Sequence, residues 1–177
     1  MTLTALGYLF GVEPPIVSLG CGEEGREQWT PNHFYSSPGV EVCVRRLRGN
    51  KMRTRQALMD EFGAALQLFE GFGENWYALE ECLSYLDEWL PADAYVLFVE
   101  RAEELLVDEP ADLGAFLETL DKARGFWSQP VSGNGRFDRR PVPFHVLLNM
   151  SGADGQAASK ERIQRAAVEA GVVLRLE

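Results

Sequence analysis

Two mainly apolar runs constrain this chain most: residues 94–99 (AYVLFV) and 142–149 (VPFHVLLN). A run without polar alternation needs apolar cover on both faces, which in a chain of this type means a strand inside a largely parallel sheet. Between the two runs lies an amphipathic stretch from about Asp112 to Phe126, long enough to cross from one parallel strand to the next. The alternation continues to either side. Residues 3–12 and 16–19 read as short strands split by Pro14-Pro15, and residues 20–38 read as a loop. Residues 40–47 (VEVCVRRL) read as a strand, with a turn at Gly49-Asn50. Thr54 stands where an N-cap belongs, ahead of a helix reaching about Leu68 with apolar positions at Leu58, Met59, Phe62, Ala65 and Leu66. A second helix is predicted over 76–89, stopped by Pro91, and a short one over 102–107. Ser159 is positioned to cap a helix to about Ala170, ended by Gly171, before a last strand over 172–176. Strands alternating with helices predict an α/β fold with a small, mainly parallel sheet and flanking helices.

A chain of 177 residues with 46% apolar content can bury a core without a disulfide or metal staple. The three cysteines, Cys21, Cys43 and Cys82, are an odd number without CxxC spacing. They argue against a disulfide framework and a structural zinc site, and for a reducing, cytoplasmic setting. The apolar start, residues 1–10, has no basic segment and runs into the proline pair; it reads as a buried strand rather than an export signal. No run approaches the roughly 18 apolar residues that would span a membrane.

Charge is segregated. From Asp60 to Asp121 there are 17 acidic residues and one base, Arg101, whereas residues 45–55 hold six bases and no acid: Arg45, Arg46, Arg48, Lys51, Arg53 and Arg55. The net charge of −10 argues against nucleic acid as a direct ligand. An acidic half of this density is either a set of solvated helix faces or a field that attracts a basic partner.

Signatures of catalysis are weak. Gly20-Cys21-Gly22-Glu23-Glu24-Gly25 matches GxGxxG and is similar to the nucleotide loop of S-adenosylmethionine-dependent methyltransferases. That chemistry needs a helix opening within the loop, and Pro31 follows too soon. The segment reads as a turn between strands. Of the two histidines, His145 lies in an apolar strand and His33 in a loop with no Cys or Asp at ligand spacing. No triad, metal or phosphate-loop signature accompanies them.

The informative segment is 69–83, FEGFGENWYALEECL. Glycines open the chain, Asn75 can cap the helix, and Trp76, Leu79, Cys82 and Leu83 fall on an inward stripe. Tyr77, Glu80, Glu81, Ser84 and Glu88 are then expected to face outward. Two readings fit: a surface helix whose early acids suit its dipole, or an acidic plug for a concave basic site.

Phe72-Gly73-Glu74-Asn75, followed by Trp76-Tyr77-Ala78-Leu79-Glu80-Glu81-Cys82-Leu83, resembles the aromatic-Gly-Glu-Asn turn and x-x-Ala-Leu-x-x-Cys-Leu helix of the barstar family of ribonuclease inhibitors. The likeness runs in order from the strand at Val40 to the strand at Val142, about 110 residues of the chain. It implies a barstar-like domain of two or three layers over 39–150, extended by a β segment over 1–38. A helix–strand segment over 151–177 would pack on the same domain. It also implies inhibition by occlusion, in which the helix and its preceding loop fill a nuclease active site and a carboxylate takes the place of an RNA phosphate. Glu81 holds that position here; Tyr77 replaces a second helix aspartate, and Gly71 one of two loop tyrosines. The partner-binding residues expected on this basis are Phe72, Gly73, Glu74, Asn75, Tyr77, Ala78, Glu80 and Glu81, with no catalytic, cofactor or metal residues. The resemblance thus implies a monomeric protein that is not an enzyme and binds neither membrane nor nucleic acid. Its partner would be a basic ribonuclease, the cell's own or a nuclease toxin to which the chain gives immunity. The alternatives are a non-inhibitory interaction module of the same fold and, more remotely, a methyltransferase built on the Gly20–Gly25 loop.

Overall fold

The computed structural model describes residues 17–21, 39–133, 135, 138–150 and 156–176. The strands are β1 (Val17–Cys21), β2 (Val42–Arg48), β3 (Ala94–Glu100), β4 (Phe144–Met150) and β5 (Leu174–Leu176). The helices are α1 (Arg55–Leu66), α2 (Trp76–Ser84), α3 (Leu113–Trp127) and α4 (Gln156–Glu169). The strands form one parallel sheet in the order β2-β3-β4-β1-β5. The predicted α/β class with a small parallel sheet is what the chain adopts.

Pleating divides the sheet side chains between two faces. Leu47, Tyr95, Leu97, Val99, Phe144, Val146, Leu148 and Met150 join one core with residues from all four helices. Val42, Val44, Ala94, Val96, Phe98 and Leu147 form a second cluster on the other face, each 8% exposed or less. This is why the runs at 94–99 and 142–149 carry no solvent-facing alternation. His145 shares that second face and is also buried.

Several expected boundaries shift. The strand read over 40–47 is Val42–Arg48, and Gly20 and Cys21, expected in a loop, end β1. The strand expected over 3–12, and Gly22 to Gly25 of the glycine motif, lie outside the described residues. The last helix already starts at Gln156, so Ser159 lies inside it and is not its cap. The helix expected over 102–107 is only a 3-10 turn, Ala102–Glu104. The amides that would continue it are taken elsewhere: Leu106 and Asp108 donate to the carbonyls of Met52 and Arg53 at 2.8 and 3.1 Å. This docking brings the turn after β2 against the turn after β3. A Cβ on Gly49 would stand 2.3 Å from the Arg101 carbonyl oxygen, so only glycine fits there.

The second helix ends at Ser84, not Trp89, and a 3-10 turn Leu86–Glu88 follows. The buried Trp127 indole N–H donates to the Leu83 carbonyl at 2.8 Å, so α3 holds the end of α2. Trp89 likewise donates to the Leu66 carbonyl at the end of α1, 2.9 Å away. Both indoles satisfy helix-terminal carbonyls that have no partner within their own helix.

The basic run of β2 and its turn meets acids from far along the chain. Arg46 pairs with Glu100, Arg48 with Glu61 at 2.7 Å, and Arg53 with Asp108 and Glu104 at 2.9 and 3.2 Å. Most of these groups are solvated and each pair adds little stability. Glu61 differs, with its side chain only 7% exposed. The hydrogen-bonded Arg48 guanidinium holds its carboxyl below the usual carboxylate range, against the opposing effect of burial.

Replacing Trp127 by Phe keeps an aromatic ring but strands the Leu83 carbonyl; urea unfolding should show a loss of about 1–3 kcal/mol. Glu61 has a folded-state pKa below its unfolded value, so its ionised form stabilises the fold above roughly pH 4.3. That contribution disappears as pH falls through the folded value. Acid titration followed by circular dichroism should therefore show the wild type losing stability below about pH 4.3 more steeply than Glu61→Gln.

Candidate protein-docking site on helix α2

The segment between α1 and α2 is shaped by its own backbone. Gln67 ends α1 in the left-handed region (φ 55°), and Glu74 adopts the same region (φ 47°) just before α2. Asn75 caps α2 as expected: its Oδ1 accepts from the Ala78 N–H at 3.0 Å. Its Nδ2 donates back to the Gly73 carbonyl at 2.8 Å, closing the turn on both sides. A Cβ on Gly73 would crowd Asn75 Nδ2 at 3.1 Å and the Ala78 methyl at 3.3 Å. Glu74 is tethered from α1 by Gln56 Nε2, 2.7 Å from its Oε2.

The predicted residues separate into three groups. Gly73, Glu74, Asn75, Tyr77 and Glu81 are exposed and lie on the turn and the outer side of α2. Phe72 and Ala78 are half-buried; Phe72 packs on the core and supports the turn from beneath. Glu80 is the third case. Expected to face outward, it is half-buried, with its Oε2 3.7 Å from Lys122 Nζ on α3. Lys122 also pairs with Glu118 at 3.0 Å, and the two carboxylates hold its ammonium protonated, Glu118 foremost. Ser84, also expected outside, is buried at 7% exposure, because α3 crosses the end of α2 where Trp127 binds Leu83. The inward stripe is otherwise as read: Leu79, Cys82 and Leu83 are buried, and the Trp76 ring packs 6.2 Å from Phe116.

Three neighbours escaped the sequence reading. Phe69, 62% exposed, is the outward aromatic of the turn, in place of Phe72. Tyr85, 44% exposed, continues the Tyr77–Glu81 spacing by four more residues, a signal that was present in the sequence. Lys122 had none, since its position depends on how α3 lies on α2.

The face is acidic after internal pairing. Among the described residues, Asp60, Glu70, Glu74, Glu81, Asp87 and Glu88 make no ion pair, whereas Glu100, Glu104 and Asp108 meet arginines. Glu41, Asp93, Glu109, Asp112 and Glu169 also make no ion pair, so six of these eleven described carboxylates fall between residues 60 and 88. A cleft of about 490 Å³, lined by Asp87, Trp127, Arg139 and others at the amino ends of β2, β3 and β4, contains none of the predicted site residues. Gly73, Glu74, Asn75, Tyr77 and Glu81 stand instead on the exposed turn and the outer side of α2. Among the described residues no cluster of His, Cys, Asp or Glu suits a metal ion, and no helix is long and apolar enough to cross a membrane.

Asn75→Ala removes the cap and the turn closure together. It should cost about 1 kcal/mol in thermal or urea unfolding, and hydrogen exchange of the Ala78 amide should quicken.

No curated protein matches the chain. Among solved structures, a chain from the structure of Drosophila ORC bound to AT-rich DNA and Cdc6 aligns with a TM-score of 0.47 and 11% identity, over 97% of this chain. The present chain spans half the length of that one. The family described as Barstar (barnase inhibitor) matches residues 42–149, from the first residue of β2 to the next-to-last residue of β4. With the capped helix α2 and the parallel strands β2, β3 and β4 inside that match, the chain belongs to the barstar family.

Proposed function

We propose that the chain is a monomeric, cytoplasmic inhibitor of a basic ribonuclease, an immunity protein where that nuclease is a toxin, and not itself an enzyme. The observation that carries this is the state of Glu81. It is exposed on a rigid, capped helix, and it makes no ion pair among the described residues. An exposed carboxylate held in place and left without a counter-charge suits a site built for phosphate, where arginine, lysine or histidine would supply the missing partner. Gly73, Glu74 and Asn75 form the lip that approaches the nuclease, and Tyr77 extends the contact along α2. Phe72 and Ala78 set the shape of the lip from below. Glu80 acts at the margin through Lys122.

The neighbouring unpaired acids add field rather than contact, so they speed encounter with a basic surface. A panel of purified basic ribonucleases, barnase included, tests the reading in an RNA-cleavage assay. Stoichiometric loss of cleavage is expected for at least one member, with Glu81→Ala weakening that complex by roughly 2–5 kcal/mol. Its association rate should also fall steeply as salt is raised. No inhibition across the panel, or an unchanged affinity in Glu81→Ala, would count against the assignment.

A further inference from the structure

The cleft at the amino ends of β2, β3 and β4 holds opposite charges that do not meet. It measures about 490 Å³, and its lining includes Asp87, Arg139 and Arg140. Asp87 belongs to the 3-10 turn after α2, and the two arginines to the segment that leads from α3 into β4.

Arg139 is built into the wall. Its guanidinium lies over the Phe126 and Trp127 rings, 4.7 and 4.3 Å from their centroids. It donates to the Phe126 and Gln129 carbonyls at 3.1 and 3.2 Å. Phe126 packs in turn on Tyr85, and Trp127 on Tyr95, with centroids 5.1 and 4.9 Å apart. These partners fix the guanidinium, but none of them carries a charge. Arg139 makes no ion pair among the described residues, and neither do Arg140 and Asp87. Asp87 is near enough to favour the charged form of Arg139 against the effect of burial, yet it stays beyond ion-pair distance.

Charges of opposite sign held apart across one cleft leave room for a ligand that carries both. A simple anion drawn to the arginines would meet the field of Asp87, and a simple cation would meet the arginines. Asp93, also in the lining, is already engaged: its Oδ2 accepts from the Glu41 N–H at 2.8 Å. Val40, Pro141 and Val142 make other parts of the lining apolar, and a space of this size takes a small molecule.

We propose that the cleft binds a small zwitterion, an α-amino acid or short peptide with both ends free and an apolar side chain. Arg140, with Arg139 behind it, receives the carboxylate, and Asp87 receives the ammonium. Each end then makes charge-assisted hydrogen bonds, while the side chain lies against Val40 and Val142. None of the docking residues of α2 lines this cleft, so the proposal does not depend on the nuclease reading.

The test is a calorimetric and NMR titration of the full chain with three peptides. Leucyl-leucine carries both charges, its N-acetyl form lacks the ammonium, and its amide lacks the carboxylate. Leucyl-leucine should bind about tenfold tighter than either blocked form, moving the amide signals of Asp87, Arg140 and Val142. Arg140→Gln should abolish its advantage over the amide, and Asp87→Asn its advantage over the N-acetyl form. Both side chains are exposed, so both variants should keep the circular dichroism spectrum. Free leucine, run alongside, separates the two sources. Binding as tight as that of the dipeptide assigns the cleft to single amino acids, and weaker binding assigns it to peptides. No binding by leucyl-leucine or leucine, equal affinity for the blocked forms, or advantages that survive the two substitutions overturns the proposal.

Discussion

The seam between α2 and α3 is the interaction on which the rest depends. Leu79 and Leu83 are fully buried there, Trp76 packs beside Phe116, and the Trp127 indole is hydrogen-bonded to the Leu83 carbonyl. Together they fix the rotation of α2 about its own axis. A slip of one residue turns a helix by about 100° and would press a carboxylate into an apolar layer, which is unfavourable without a partner. The outward aim of Glu81 is thus a product of core packing, and the turn before α2 inherits its position from the same seam through the Asn75 cap.

Features set by near neighbours were legible in the sequence. The caps at Thr54 and Asn75 follow from residue type and a three-residue reach, and each makes the expected bond to Ala57 or Ala78. The apolar runs of β3 and β4 and the stripe of α2 needed only periodicity. What failed depended on partners far along the chain. Glu80 and Ser84 were placed outside because a helical wheel does not contain α3. The early end of α2 and the unwound segment after Ala102 reflect hydrogen bonds to residues 44 and about 55 positions away. Tyr85 follows Tyr77 and Glu81 at the same spacing of four, so its exposure was within reach of periodicity alone.

The charge pattern also changes meaning in three dimensions. Sequence alone sets a basic run against a long acidic stretch, as if the chain were polarised. Folding brings much of the basic run onto Glu61, Glu100, Glu104 and Asp108. The remainder includes Glu70, Glu74 and Glu81 on the turn and α2, along with acids elsewhere such as Glu41, Asp112 and Glu169. Net charge is therefore a poor guide to this surface.

The order of strands has a consequence for how the molecule is assembled. β1 is wedged between β4 and β5, and β5 touches the sheet only through β1. During synthesis, β1 precedes both strands it pairs with, so it has no partner among the described strands until residues near 146 have followed it. The three middle strands can stack one after another, each beside its predecessor. β1 must then be recruited across a long sequence separation to β4, and only afterwards does β5 find its place beside it.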